Sequence, residues 1–388
     1  MKKEQNIIDL FSGCGGLSHG FKQNGFKIKI ANEYWKPAIE TYKKFNPNTF
    51  LIEKKIEDWT NKEIKKNLSS LNIKKVLGVV GGPPCQGFSM AGNRNKKDSR
   101  NNLYKEFNRI IQVTQPSFFV LENVKGILTM KDEKNEKVID KIIKEMKSLK
   151  PKYTVNYRIL NAADYGVPQQ RERVVFIGIK TDMKEISDNE IFPKPTHRPI
   201  EKEKLLKFYK RNHDLLKIQN KKNTKKLKKE ILDNFLTKIN KLKFYVPIID
   251  VLKNLEKVTD KDNSFNHKSM NHKESTIKRM QKIPKGENLP LNQKNWSQEL
   301  KRKRFANVYK RLDKNKAACT MVPGHSAFPI HYKFHRSLTA REAARIQTLP
   351  DELIFKGNRT QQCLIVGNAV PPLLSKAIAK KIKKYLGI

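Results

Sequence analysis

Short apolar segments alternate with segments of helix length through residues 1–180, and this alternation limits the possible folds more than any other feature. The strand-like segments are Asn6–Phe11, Lys27–Ala31, Val76–Val80, Phe118–Leu121, Thr154–Leu160 and Val174–Ile179. Segments of helix length lie between them, including Lys36–Phe45, Leu103–Thr114 and Lys137–Leu149. A repeated strand–helix order predicts a doubly wound α/β fold, in which helices cover both faces of a mostly parallel sheet.

The alternation ends near Pro193, Pro195 and Pro199, where a second kind of sequence begins. Residues 200–245 are rich in lysine with helix-like apolar spacing, and residues 246–335 are irregular. Regular patterning returns in two predicted helices, Leu338–Leu349 and Pro372–Tyr385. We therefore expect a first domain in residues 1–185, a smaller irregular domain in residues 186–335 with a helical insertion at 200–245, and a segment, 336–388, that returns to the first domain.

The chain of 388 residues is strongly basic, with 81 Lys and Arg against 38 Asp and Glu and a formal charge of +43. Such a charge attracts polyanions, and nucleic acid fits best. Compositional bias is the alternative explanation, because the lysine, asparagine and isoleucine of an AT-rich genome would also give this balance. The hydrophobic fraction of 37% argues against both wholesale disorder and a membrane protein.

Localisation and redox state follow from what the sequence lacks. No apolar run has the length of a membrane span, and the first residues show no signal-peptide pattern, so we expect no membrane partner. Cys14, Cys85, Cys319 and Cys363 form no CxxC pair, which fits neither a disulfide framework nor a zinc site. A cytoplasmic protein with no metal is the expectation.

A glycine-rich turn, Ser12–Ser18, follows the first predicted strand. In a doubly wound sheet this turn is where a nucleotide-like ligand binds, and its glycines allow close approach of the backbone. Glu33 lies about twenty residues further on, at the end of the second strand, where a carboxylate could accept two ribose hydroxyls. The turn alone could also be purely structural. Its spacing is not GxGxxG, which favours an adenosine-containing cofactor other than NAD.

Three more segments carry chemically active side chains near strand ends. Cys85 lies in Gly81–Ser89 after an apolar strand, and a thiol on a loop suits a nucleophile better than a core filler. Glu122 follows the next predicted strand and could donate a proton, or could simply cap a helix. Arg171 and Arg173 open a strand, and alternate strand residues share a face, although a surface ion-pair ladder is the alternative.

Taken in order, these motifs resemble those of the DNA (cytosine-5)-methyltransferases of prokaryotic restriction–modification systems. The resemblance rests on Asp9–Gly16, Gly81–Gln86, Glu122–Val124, Gln169–Arg173, Arg336–Gln347 and Gly367–Pro372, and Asp98–Leu103 also fits. The matching segments cover roughly residues 5–180 and 305–388. The resemblance implies a Rossmann-like domain that binds S-adenosylmethionine and a second domain, 186–335, that recognises the target sequence.

The resemblance also implies which residues contact the cofactor S-adenosylmethionine. They are Phe11, Ser12, Gly13, Cys14, Gly15, Gly16, Leu17, Glu33, Tyr34, Trp35, Ile56, Asp58, Pro83, Leu103, Asn368 and Ala369. One departure concerns Lys55, which stands where the family usually has an acid, so Asp58 is the alternative contact. We interpret Cys14 and Cys363 as small apolar fillers.

For the reaction, the resemblance implies that a cytosine flips out of duplex DNA and is attacked at ring carbon 6 by Cys85. Glu122 would bind ring nitrogen 3 and the exocyclic amine, Arg173 would hold the carbonyl oxygen at carbon 2, and Arg171 would support its neighbour. The implied DNA contacts are Gln86, Ser89, Arg94, Arg100 and Gln169.

The implied partners are double-stranded DNA and, functionally, a restriction endonuclease, and we expect a monomer. The basic insertion at 200–245 either grips the DNA backbone or is a solvated addition. Two other functions stay open at this stage: methylation of tRNA, by a branch of the same family, and a non-catalytic DNA-binding relative. Intact Cys85, Glu122 and Arg173 argue against the non-catalytic relative.

Overall fold

A seven-stranded sheet forms the centre of the protein, in a computed structural model that describes residues 5–84, 102–181, 186–214, 235–255, 264–302, 309–322 and 328–388. The strands are β1 (Asn6–Leu10), β2 (Lys27–Asn32), β3 (Phe50–Ile52), β4 (Gly78–Gly81), β5 (Phe118–Val124), β6 (Tyr153–Asn161) and β7 (Glu172–Lys180), in the order β3-β2-β1-β4-β5-β7-β6. Neighbouring strands among β1–β5 pair in parallel, whereas β7 is antiparallel to β5 and β6. The predicted doubly wound, mostly parallel α/β fold is confirmed.

Helices cover both faces of this sheet. Successive residues of the central strands point to opposite faces, and both sets are apolar, so each face must be buried. In β5, Phe118 and Val120 pack into one core while Phe119 and Leu121 pack into the other. Such strands are buried on both faces and read as continuous apolar runs. The helices of the first domain are Gly16–Lys22, Lys36–Phe45, Asn61–Ser70, Leu103–Thr114 and Val138–Lys147, with 3-10 turns at Ile56–Asp58, Lys125–Leu128 and Ala162–Tyr165.

The C-terminal segment packs against the first domain. Its helices are Ala340–Ile346, Arg359–Asn368 and Pro372–Leu386. The last of these packs on the helix Gly16–Lys22, and the two backbones are in close contact at Gly20. A Cβ at Gly20 would overlap Ser375 Oγ and the Lys376 amide, and would lie 2.6 Å from the Pro372 carbonyl oxygen. Only glycine fits this crossing.

The part of the chain between these two blocks has short elements. They are the helices Asp188–Ile191, Lys202–Asn212, Ile249–Leu252 and Glu274–Gln281, and the paired strands β8 (His197–Arg198) and β9 (Lys243–Phe244). Residues 235–240 are also helical. The apolar residues of this part merge with the C-terminal segment, since Leu252 and Met321 share a core with Ile346 and Val366.

Several boundaries differ from the sequence expectations. Glu122 and Asn123 lie within β5 rather than after it, and Phe11 leaves β1 with φ +54°. The sequence did not predict β3, which has three residues, or the helix Asn61–Ser70, whose sole buried side chain is Ile64. The predicted helices Lys36–Phe45 and Leu103–Thr114 are confirmed. No helix among the described residues has the length and apolar character needed to cross a membrane.

Replacing Gly20 with alanine tests the close helix crossing. We expect Gly20→Ala to lower the free energy of unfolding by about 3 kcal/mol, because the added methyl group meets backbone atoms that cannot move aside. The matched control is Gly387→Ala, where φ is +63° but nothing lies within 4 Å, so only the backbone strain of about 1 kcal/mol is expected. Urea unfolding measures both, and equal losses would contradict this packing.

Candidate active site

The functional residues of the first domain meet at one edge of the sheet. The parallel strands β1, β2, β4 and β5 all end there, and the antiparallel β7 begins there. The register shows this directly, because Leu10 pairs with Asn32 and Gly81, and Val124 pairs with Arg173. Ligands of doubly wound folds bind outside the carboxyl ends of the strands. The topology therefore brings the glycine-rich turn, the Gly81–Pro84 segment, Glu122 and Arg173 to one place.

The buried Glu33 carboxylate holds the glycine-rich turn. Its Oε2 accepts a hydrogen bond from the Gly13 amide at 2.9 Å, and its Oε1 accepts from the Tyr34 and Trp35 amides, both at 2.9 Å. Burial raises the pKa of Glu33, and these three amides oppose the rise. A carboxylate has about four acceptor positions, so one remains at Oε2. Glu33 thus keeps an acceptor position for a ligand, and its expected contact with ribose hydroxyls stays a prediction.

The C-terminal motif Gly367–Pro372 lies against the same turn. A Cβ at Gly16 would come within 2.5 Å of the Val370 carbonyl oxygen and 3.5 Å of the Ala369 Cβ. Asn368, by contrast, is exposed. Cys14 and Cys363 are buried in the shared apolar core, as predicted for fillers, and burial raises the pKa of the Cys14 thiol to about 12. Neither thiol has the character of a nucleophile.

The surroundings of the turn fit a bound adenosine-containing molecule. A Cβ at Gly13 would meet nothing within 4 Å, so open space borders the turn where φ is +54°. Tyr34 is 54% exposed beside the buried Glu33, which offers an acceptor next to an aromatic surface. These features provide what a sugar and a base require: a hydroxyl acceptor, a ring to contact and a close backbone.

The other expected cofactor contacts lie around this edge. Ile56 and Pro83 are buried, Trp35 and Leu103 are half-buried, and Asp58 is exposed in the turn Ile56–Asp58. The side-chain amide of Asn32 fixes the segment just before this turn, because it donates to the Ile52 and Lys54 carbonyls at 3.1 and 2.8 Å. Whether Asp58 replaces the missing acid at Lys55 stays a prediction.

Glu122 and Arg173 form an ion pair at the same edge, with 2.9 Å between Glu122 Oε1 and Arg173 Nε. Their side chains are only 12% and 11% exposed. A Cβ at Gly82 would lie 3.1 Å from Glu122 Oε2, so the Gly81–Pro84 segment runs beside this carboxylate. The pair offers a carboxylate and a forked donor side by side, which suits recognition of a planar ring with acceptor and donor groups. Cys85, Gln86, Ser89, Arg94 and Arg100 lie outside the described residues.

Arg171 has contacts quite different from those of Arg173. Its buried guanidinium donates to the Met321 and Gly367 carbonyls at 3.2 and 3.1 Å, and its amide donates to Asn161 Oδ1 at 2.9 Å. The sequence placed Arg171 beside Arg173 as a supporting residue. In the structure its guanidinium links the sheet to the end of the middle segment and to the C-terminal motif.

Gln169 does not support its expected role as a DNA contact. Its side chain is fully buried, and its Oε1 accepts a hydrogen bond from the Met321 amide at 3.4 Å. The preceding turn bends Gln169 inward against residues far away in sequence, including Ala318. A sequence pattern cannot reveal this burial, because it depends on that distant packing.

Sequence reasoning gave no role to Asp9, a fully buried acid within β1 behind the glycine-rich turn. Burial raises the pKa of Asp9 to about 7, Ser18 opposes the rise, and the nearby Glu33 charge adds to it. The buried Tyr42 hydroxyl belongs to the same group of side chains, and burial raises its pKa as well. The available signal was an acid inside an otherwise apolar strand, since such positions rarely hold an unpaired charge.

Asp9→Asn tests this buried acid through the pH dependence of stability. Native Asp9 keeps its proton up to about pH 7, whereas the unfolded chain releases it near pH 4, so the wild type loses stability as pH rises between these values. Asparagine removes this loss. We expect the free energy of unfolding of Asp9→Asn, relative to wild type, to rise by about 2 to 3 kcal/mol from pH 5 to pH 8. Parallel pH profiles in urea unfolding would contradict the buried protonated acid.

Comparisons with known proteins match almost the whole chain. The family model for C-5 cytosine-specific DNA methylases matches residues 5–384. The type II methyltransferase M.DdeI of Desulfomicrobium norvegicum is 36% identical, over 98% of this chain and 89% of its own length. M1.HphI of Haemophilus parahaemolyticus is 33% identical, over 97% of this chain and 86% of its own length. Among solved structures, a candidate DNA modification methyltransferase encoded within an E. coli prophage superimposes with a TM-score of 0.66 at 27% identity, over 99% of each chain.

Proposed function

This chain belongs to the C-5 cytosine-specific DNA methylases, and from that premise we propose that it methylates a flipped-out cytosine in a specific duplex DNA sequence, using S-adenosylmethionine. The observation that supports this most directly is the Glu122–Arg173 ion pair beside the segment that leads into Cys85. Since its relatives include type II methyltransferases, we further propose that it protects host DNA from a partner restriction endonuclease.

The glycine-rich turn and the C-terminal motif would hold the cofactor. Glu33 would accept a ribose hydroxyl at its remaining acceptor position, and Phe11, Tyr34, Trp35 and Asn368 border the same edge. When bound, S-adenosylmethionine supplies an electrophilic methyl group. In this proposal the cofactor also contacts Ser12, Gly15, Leu17 and Ala369, mainly through their backbone atoms.

The side chains of the chain itself would act on the cytosine. The Cys85 thiolate forms a bond to ring carbon 6, which makes carbon 5 nucleophilic. Arg173 donates to the carbonyl oxygen at carbon 2. Glu122 in its protonated form donates to nitrogen 3 and accepts from the exocyclic amine, so both side chains stabilise the charge that develops in the ring. Carbon 5 then takes the methyl group, which leaves S-adenosylhomocysteine. A base removes the carbon-5 proton, the double bond between carbons 5 and 6 reforms, and the bond to Cys85 breaks to return the thiolate. In the structure Arg173 and Glu122 are already paired, so the ring must insert between them or replace part of their contact.

The rest of the proposal concerns the substrate and its surroundings. Residues 186–335 would read the target sequence in the major groove, where each base pair presents a distinct pattern. Gln86, Ser89, Arg94 and Arg100 remain proposed DNA contacts. We propose a monomer that acts in the prokaryotic cytosol, where its DNA substrate is found.

Cys85→Ser tests the nucleophile. We expect it to abolish methyl transfer to duplex DNA while S-adenosylmethionine still binds, because the serine hydroxyl is not ionised at neutral pH and is a much weaker nucleophile than a thiolate. Wild type should also form a covalent complex with a duplex that carries 5-fluorocytosine, since fluorine cannot leave as the proton does. Radiolabelled methyl transfer and denaturing gel electrophoresis measure the two effects.

The matched control is Cys363→Ala. It removes a buried thiol that has no part in the proposed reaction, so this variant should still form the covalent complex. An active Cys85→Ser protein would overturn the proposed mechanism. Methylation of tRNA but not of duplex DNA would instead overturn the substrate. Bisulfite sequencing of plasmid DNA treated with the enzyme then identifies the methylated cytosine and its sequence.

A further inference from the structure

A basic cleft lies between the lysine-rich insertion and the ends of β5 and β7 that carry Glu122 and Arg173. It has a volume of about 510 Å³ and includes Glu172, Gln170 and Thr320 in its lining. Six cationic side chains line it against two acidic ones, Glu172 and Asp313; the cations are Lys125, Lys204, Lys207, Arg211, Lys310 and Lys316. They come from three separate segments of the chain, so the tertiary structure and not a local charge run creates this surface.

The insertion contributes to the cleft through its helix Lys202–Asn212, which is firmly docked. Arg211 Nε and Nη2 donate to the two oxygens of Asp164 at 2.8 and 2.9 Å, and Asp164 is fully buried. Asn212 and the Tyr245 hydroxyl donate to the same carboxylate at 3.0 and 2.6 Å. A buried carboxylate with four hydrogen bonds fixes the helix against the 3-10 turn Ala162–Tyr165. A merely solvated addition would not require this attachment.

Glu172 places two lysines at the mouth of the cleft. Its carboxylate lies 3.1 Å from Lys125 Nζ and 3.0 Å from Lys207 Nζ, and Arg211 Nη1 is 3.3 Å away. Burial acts to raise the pKa of Glu172, but Lys207 and Lys125 together lower it below its usual value. The Lys207 side chain is 67% exposed and that of Lys125 is 47% exposed, so both ammonium groups remain open to a ligand.

The cleft also adjoins the residues proposed to hold the cytosine. Lys125 follows Glu122 by three residues, and Glu172 precedes Arg173, whose Nη1 donates to the Glu172 carbonyl at 2.8 Å. The cleft and the Glu122–Arg173 pair therefore lie at the same ends of β5 and β7, a few residues apart along the chain.

We propose that the insertion helix Lys202–Asn212 is part of the DNA-binding surface, and that Lys207 and Lys125 together bind backbone phosphates next to the extruded cytosine. This inference rests on the proposed function and assigns a role to the insertion. The contacts carry charge but read no bases, because the two ammonium groups are point charges on flexible stems. Their role is to position the strand at the active site, and Glu172 keeps them in place before DNA arrives.

Salt-dependent DNA binding by Lys125→Gln/Lys207→Gln tests the proposal. Each lost phosphate contact lowers the slope of log affinity against log salt by about 0.9, so we expect a decrease of about 2 and an affinity about tenfold weaker at physiological salt. Fluorescence anisotropy with a labelled duplex measures both without turnover. The KM for DNA should rise more than kcat falls, and the arginine pair Lys125→Arg/Lys207→Arg should restore binding because it keeps the charge.

Two controls remove lysine charge elsewhere, one charge in the first and two, as in the cleft variant, in the second. Lys210→Gln lies on the same helix but outside the cleft lining, and Lys65→Gln/Lys66→Gln lies on the helix Asn61–Ser70, which follows the strand at the opposite edge of the sheet. Both should keep the wild-type slope. An unchanged slope in the cleft variant would overturn this surface even if wild type methylates DNA. A loss of affinity for RNA and not for duplex DNA would also overturn it, whereas a wild type without methylation refutes the proposed function separately.

Discussion

Burial of the central strands on both faces is the constraint on which the rest of the structure depends. Because neighbouring residues such as Phe118 and Phe119 belong to opposite cores, the interior of the sheet has little room for polar chemistry. Polar side chains therefore gather where the strands end. Asp9 instead lies inside β1, and its pKa of about 7 shows what burial within a strand does to an acid.

The edge of the sheet is held by hydrogen bonds between segments that are far apart in sequence. Glu33 fixes the glycine-rich turn of the first strand from the end of the second. Arg171 connects the start of β7 with Met321 and Gly367, so one side chain joins the sheet, the middle segment and the C-terminal motif. These contacts use backbone atoms, which makes the arrangement independent of many side-chain identities. The site thus depends on contacts between segments that are far apart in the sequence.

The charged side chains are also placed by contacts between segments that are far apart in sequence. The net charge of +43 describes the chain but does not locate a surface. The buried Asp164–Arg211 salt bridge fixes the helix Lys202–Asn212 against the first domain. Glu172 forms ion pairs with Lys207 of this helix and with Lys125, which brings the two ammonium groups together. A cleft with cations from three segments follows from these few contacts, and it gives part of the insertion a role in the proposed reaction.

The sequence by itself determined the α/β order, most of the sheet, the family and the position of the glycine-rich turn, because these depend on local apolar runs and on motifs of adjacent residues. It did not determine β3 or the helix Asn61–Ser70, where the apolar signal is weak. It also gave Gln169 and Arg171 roles that the fold changes, since their surroundings come from Met321 and Gly367. Only the tertiary structure decided which charges meet in the cleft, for a salt bridge such as Asp164–Arg211 joins residues that no local pattern relates.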